Sequence, residues 1–154
     1  VYPHHGAAVI EKREKVVAFG ETREYFVLRI PHGDLTLKVP TDQVEQVGLR
    51  SIIGSEELRD VLEVLSRPGG REPSNWSRRF KNNVEKLKSG DIYQVAELVR
   101  NLSRRQQEKH LSAGEKRLLV NSRRVLLSEL RLASDTSEDE AETMLDDIFD
   151  APPT

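Results

Sequence analysis

Apolar positions follow two different periods along this chain, and the change near residue 50 divides it. Before that point the period is two. Leu35-Thr36-Leu37-Lys38-Val39 alternates and stops at Pro40. This places Leu35, Leu37 and Val39 on the core face of a strand, with Thr36 and Lys38 on the other face. Tyr25-Phe26-Val27-Leu28-Arg29-Ile30 is β-branched and aromatic-rich, Val16-Val17-Ala18-Phe19 runs into a turn at Gly20-Glu21, and residues 1–10 end in Ala7-Ala8-Val9-Ile10. His32-Gly33-Asp34 is another turn signal. Short strands punctuated by Gly and Pro predict a small antiparallel sheet or barrel. So small a sheet cannot cover both edges, and an exposed edge invites a partner strand.

From Ser55 the period becomes helical. Ser55 reads as a cap before Glu56-Glu57, and Leu58, Val61, Leu62 and Leu65 form a stripe that ends at Arg67-Pro68-Gly69-Gly70. Pro73 and Ser74 read as the start of a helix with Trp76 in its first turn, running to Ser89-Gly90. Asp91 with Gln94 opens the next helix, whose stripe is Ile92, Val95, Leu98, Val99 and Leu102. Ser112-Ala113-Gly114-Glu115 is a capping box before Leu118, Leu119, Val125, Leu126, Leu130 and Leu132, and Ser137 with Glu140 opens a last, acidic helix bearing Met144, Leu145, Ile148 and Phe149. The expectation is an α+β protein of two domains. Residues 1–50 form the sheet, residues 51–150 form a compact bundle of about five helices, and residues 151–154 are tail.

Charge sharpens this division. The net charge is −2, but residues 71–133 carry 15 Lys+Arg against 7 Asp+Glu, while residues 134–154 carry 8 acids and no base. A basic middle suits a polyanion, and the acidic segment either neutralises it internally or lies apart. Removing residues after Ser134 is expected to raise nonspecific DNA affinity if the two lie close. There is no Cys, so disulfides and thiolate metal sites are excluded. No apolar run approaches the roughly 20 residues needed to span a bilayer. The chain opens on Val1 without an initiator Met, inside an expected strand, so an incomplete N-terminus is expected.

Catalytic patterns are absent: no Gly-rich phosphate loop between strand and helix, and no G-x-S-x-G elbow. His4, His5, His32 and Asp34 make a poor metal site, because adjacent strand side chains point to opposite faces. No cofactor and no catalytic residue is expected. The candidate chemistry is binding, at Ser74-Asn75-Trp76-Ser77-Arg78-Arg79-Phe80-Lys81, which holds the only Trp. Cations can hold phosphates while an apolar ring wedges into a base step. The competing reading makes Trp76 a core anchor and the cations a solvated face. Arg78, Lys81 and Glu85 share one helix face, with Arg79, Lys86 and Lys88 around the rest. About five phosphate contacts would give a salt slope of about −4 to −5 and nonspecific affinities near 10⁻⁴ to 10⁻⁶ M. Such a module needs a second handle.

Several motifs carry a resemblance. Residues 1–8, Gly33-Asp34-Leu35-Thr36, Glu72-Pro73-Ser74-Asn75-Trp76-Ser77-Arg78-Arg79-Phe80-Lys81, Ser89-Gly90-Asp91 and Leu111-Ser112-Ala113-Gly114-Glu115-Lys116-Arg117 resemble the CarD/CdnL family of bacterial transcription regulators, above all its actinobacterial members. The resemblance implies a Tudor-like N-terminal domain that docks on the lobe of the RNA polymerase β subunit by pairing strand edges. It implies a helical domain at the upstream fork of the transcription bubble, with Trp76 in the minor groove and Lys81 as the family's basic residue in the next turn. Arg78, Arg79, Lys86 and Lys88 would add phosphate contacts. On the polymerase side, mycobacterial members have Arg where this chain has Lys38 and again where it has Val16; Lys15 would substitute only if the strand is locally bulged. The implied protein is a monomer in the cytoplasm, associated with the nucleoid through polymerase. A stand-alone DNA-binding repressor and a pure protein adaptor are the alternatives.

Overall fold

The computed structural model describes residues 7–30, 35–44 and 52–154. The sheet comes first: β1 (Val9–Ala18), β2 (Glu21–Ile30) and β3 (Leu35–Pro40), in the order β1-β2-β3 and antiparallel throughout. Helices α1 (Ser55–Ser66), α2 (Trp76–Lys88), α3 (Ile92–Glu108), α4 (Ala113–Ser134) and α5 (Glu138–Asp150) follow. This is the α+β arrangement that the two periods predict.

The strands differ from expectation in their joins. Residues 9–18 form one continuous strand rather than the ends of two. The hairpin turn is Phe19-Gly20, with φ of 54° and 76°, the pattern of a two-residue turn whose twist matches the strands. Gly20 takes that conformation readily, whereas Phe19 takes it at a cost while its ring stands fully in solvent. Leu35, Leu37 and Val39 do share a face, paired with Ile30, Leu28 and Phe26. Val39, Leu28 and Ile30 are buried, but burial fades toward Leu35 at the strand's start. The His32-Gly33-Asp34 turn and the His4, His5, His32, Asp34 group lie outside the described residues.

The helix caps also moved. Ser55 is the first helical residue, and the position before it is Gly54, which offers no side-chain acceptor. Asn75 rather than Ser74 caps α2, its Oδ1 accepting from the Arg78 N–H at 3.1 Å. Asp91, Ser112 and Ser137 cap as expected, and Ser112 with Glu115 completes a reciprocal capping box. Around these helices Val61, Leu65, Leu98, Val99, Leu102, Leu126, Leu130, Ala141 and Leu145 form the bundle core. Helix α5 packs on α4 and α1, while α2 packs on α3 and α4. The acidic helix is therefore a structural member of the core, and deleting it would remove Ala141, Leu145 and Phe149 along with its charge. None of the described helices is long and apolar enough to cross a membrane.

Candidate nucleic-acid interface

Trp76 is the first residue of α2, where a helix has no preceding turn to cover its ring. It is 44% exposed, so it is not a core anchor. One face stacks on Phe80, four residues on, with centroids 4.9 Å apart and planes within 10°. Its indole Nε1–H donates jointly to Ser112 Oγ and Glu115 Oε1, each at 3.2 Å. Beneath the pair lies Gly114, where a Cβ would come within 3.3 Å of the Phe80 ring and 3.8 Å of Trp76. The ring is thus held from one side, from one edge and from below.

Glu115 is the hub of this arrangement and is only 2% exposed. It accepts from the Ser112 N–H and hydroxyl as well as from Trp76, and its Oε2 takes Arg79 Nε at 3.4 Å. Burial pushes its carboxyl up, but the backbone and side-chain bonds from Ser112, the bond from Trp76 and the Arg79 charge together hold it below the usual carboxylate range. Arg79 also ion-pairs with Glu72 at 3.8 Å and donates to the Pro73 and Ser74 carbonyls.

Arg79 therefore corrects the expected phosphate set. It is 5% exposed and turned into the bundle, because it lies three residues after Trp76 and four before the buried Asn83, on the inward stripe of α2. Arg78 and Lys81 are exposed on the outer face with Glu85, and Lys88 is exposed at the helix end. Lys86 is half-buried and pairs with Glu97 of α3 at 3.5 Å. Sequence reasoning took Ser112 and Glu115 for a helix start only. It missed that this start is the seat of Trp76, although both motifs belong to the resemblance. Lys116 and Arg117, in the same first turn of α4, are exposed beside that seat.

On the sheet, Lys38 lies in one cross-strand row with Val27 and Lys12, and its Nζ pairs with Glu14 at 3.2 Å. Lys15 is paired in register with Glu24 and lies on the opposite face, with Arg13 and Val17. The bulge of β1 falls between Ile10 and Lys12, and the register is regular from Lys12 to Ala18. Lys15 is not brought to the Val16 side, so it does not replace a cation there. Lys12 shares the face of Lys38, across Val27 of the middle strand. Val17 and Phe19 leave an exposed apolar tip at the hairpin. Among the described residues no group of acids and histidines is arranged to hold a metal ion.

A family model of the CarD C-terminal domain matches residues 60–146, and one of the CarD-like/TRCF RID domain matches residues 1–53. The "Putative transcription factor YdeB" of Bacillus subtilis (strain 168) is 33% identical over 138 residues, covering 90% of each chain. The sheet and the Trp-bearing bundle occur here in one chain, and the chain belongs to the CarD family of transcription factors, with an RNA polymerase-interaction domain at its N-terminus.

Proposed function

We propose that this protein docks on the lobe of the polymerase β subunit through its sheet and stabilises the promoter open complex with Trp76. The observation that carries the reading is the seating of Trp76: half-exposed, yet held by Phe80, Ser112 and Glu115. Inserting a wedge into intact duplex costs a few kcal/mol of unstacking. At the upstream fork that step is already open, so a ring held in place favours the melted state. A ligand shifts an equilibrium only by its differential affinity, and about 1.4 kcal/mol corresponds to tenfold. Arg78 and Lys81 are exposed on the same helix as the ring, and Lys88, Lys116 and Arg117 are further exposed cations on α2 and α4. Contacts of this kind to phosphates orient without reading sequence, which suits a general factor.

The sheet supports the docking half of the reading. Lys12 and Lys38 share a face, β1 is an outer strand among the described residues, and its tip is apolar. Tethering to polymerase raises the local concentration of DNA, which lets a weak basic module act. The test is the lifetime of polymerase–promoter open complexes at one salt concentration. Wild-type protein is expected to lengthen it by about tenfold, and Trp76→Ala to lose that gain while still binding polymerase. A variant as effective as wild type would leave the function to the cations or to the polymerase contact alone.

A further inference from the structure

One turn of α4 receives the chain at two places, just before the sheet and just before the first helix. Ala7, two residues before β1, is buried, and its N–H donates to Ser128 Oγ at 2.9 Å. Ile53, two residues before α1, donates its N–H to Glu129 Oε2 at 3.4 Å. Ser128 and Glu129 are adjacent, and Glu129 is a carboxylate almost wholly out of solvent near the far end of the helix from Trp76. A cleft of about 810 Å³ separates Val9 and Arg29 of the sheet from Val120, Arg124, Leu127 and Arg131 of α4. Among the described residues the Ala7–Ser128 bond joins the approach to the sheet to α4, and the Ile53–Glu129 bond, one residue along, fixes the chain as it enters the bundle.

The same helix seats Trp76 at its other end, through Ser112 and Glu115. From Glu115 to Ser128 is thirteen residues, about 20 Å at 1.5 Å per residue. Over that length Leu118, Leu119, Val125, Leu126 and Leu130 anchor α4 in the core, so it does not bend independently of the bundle. We infer that Ser128 and Glu129 are positioning residues: through α4 they set the distance and direction from the sheet to Trp76. The inference rests on the reading that the sheet docks on polymerase while Trp76 meets the fork. Under that reading a tether helps only if its geometry lets both sites engage at once. A sheet that swivelled on a loose link would spend most of its time with Trp76 away from the fork.

The test separates reach from binding. The chain has no Cys, so Glu21→Cys and Lys109→Cys can carry a fluorescent donor and acceptor on the two domains without competing labels. The otherwise unchanged protein is expected to give one narrow distance distribution, and Ser128→Ala combined with Glu129→Ala a broad one. In unlabelled protein the same double variant is expected to bind polymerase, and separately free DNA, within about twofold of wild type, while its gain in open-complex lifetime falls about tenfold. Retained gain despite a broadened distribution overturns the inference, and so does an unchanged distribution. If the double variant does not fold, Ser128→Ala alone decides the matter: partial broadening with partial loss of gain supports positioning, and either one without the other overturns it. Wild-type protein with no effect on lifetime, or full activity of Trp76→Ala, would instead remove the reading on which the inference rests.

Discussion

Helices α2 and α5 are both thirteen residues long and amphipathic, and each carries a large aromatic near one end. Their charges are opposite. Helix α2 has five cations and one acid, and α5 has seven acids and no cation. Yet the aromatic is open on one and closed on the other. Phe149 continues the stripe of Ala141 and Leu145, is 7% exposed, and has the Arg104 guanidinium 5.3 Å above its ring. Arg104 and Gln107 also hold the Phe149 carbonyl, which fixes the end of α5 to α3. Trp76 stands at the first position of its helix, stacks on one half-buried ring and gives its N–H to a neighbouring helix start. The comparison teaches that an aromatic closes into the core where a stripe continues beneath it, whatever the charge of its helix. Where the stripe stops, the aromatic is left presentable.

The comparison breaks most visibly by truncation. Phe149→Ala is expected to cost about 3–5 kcal/mol of stability, read by urea unfolding, because it empties a closed site. Trp76→Ala is expected to cost about 1–2 kcal/mol, since nearly half the ring is already in water. Equal losses would mean that the two sites are not open and closed.

The adjacent arginines sharpen the same contrast within α2. Arg79→Ala leaves Glu115 and Glu72 without their shared buried cation and is expected to cost about 3 kcal/mol, with little change in the salt dependence of DNA binding. Arg78→Ala is expected to change stability by less than about 0.5 kcal/mol. It should lower the salt slope by about 0.9 if it holds one phosphate. Reversed results would place Arg79 on the DNA and Arg78 in the structure.

The smallest effect concerns acid. Glu115 has a lowered folded-state value, so its contribution is fully present above the unfolded value of about 4.3 and is lost as pH falls through the folded one. Protonated Glu115 resembles Gln. The melting temperature of wild type should therefore exceed that of Glu115→Gln at neutral pH, and the gap should narrow only in acid below the ordinary carboxylate range. A gap that closes well above that range would contradict the bonding found around Glu115.

Much of this was legible in one dimension. The switch from alternation to helical stripes placed a sheet ahead of five helices in order, although it divided β1 between two strand ends. The inward turn of Arg79 was not legible, because the buried position that continues its stripe is the polar Asn83, and only packing shows that both turn inward. The exchange of Ser74 for Asn75 as the cap was not legible, because both residues offer an acceptor and only the backbone decides which stands at the helix start.

By itself the sequence determined the element order, the basic and acidic segments, the capping box at Ser112 and Glu115, and the placing of a lone Trp at a helix start. These are local, because they depend on periods and on bonds spanning three or four residues. Tertiary structure alone decided that Glu115 accepts from Trp76 and Arg79, 39 and 36 residues away, and that Ser128 and Glu129 receive the chain just before β1 and just before α1. The reason is that a buried carboxylate or an unpaired N–H must find a partner, and which partner is near is settled only when the helices pack.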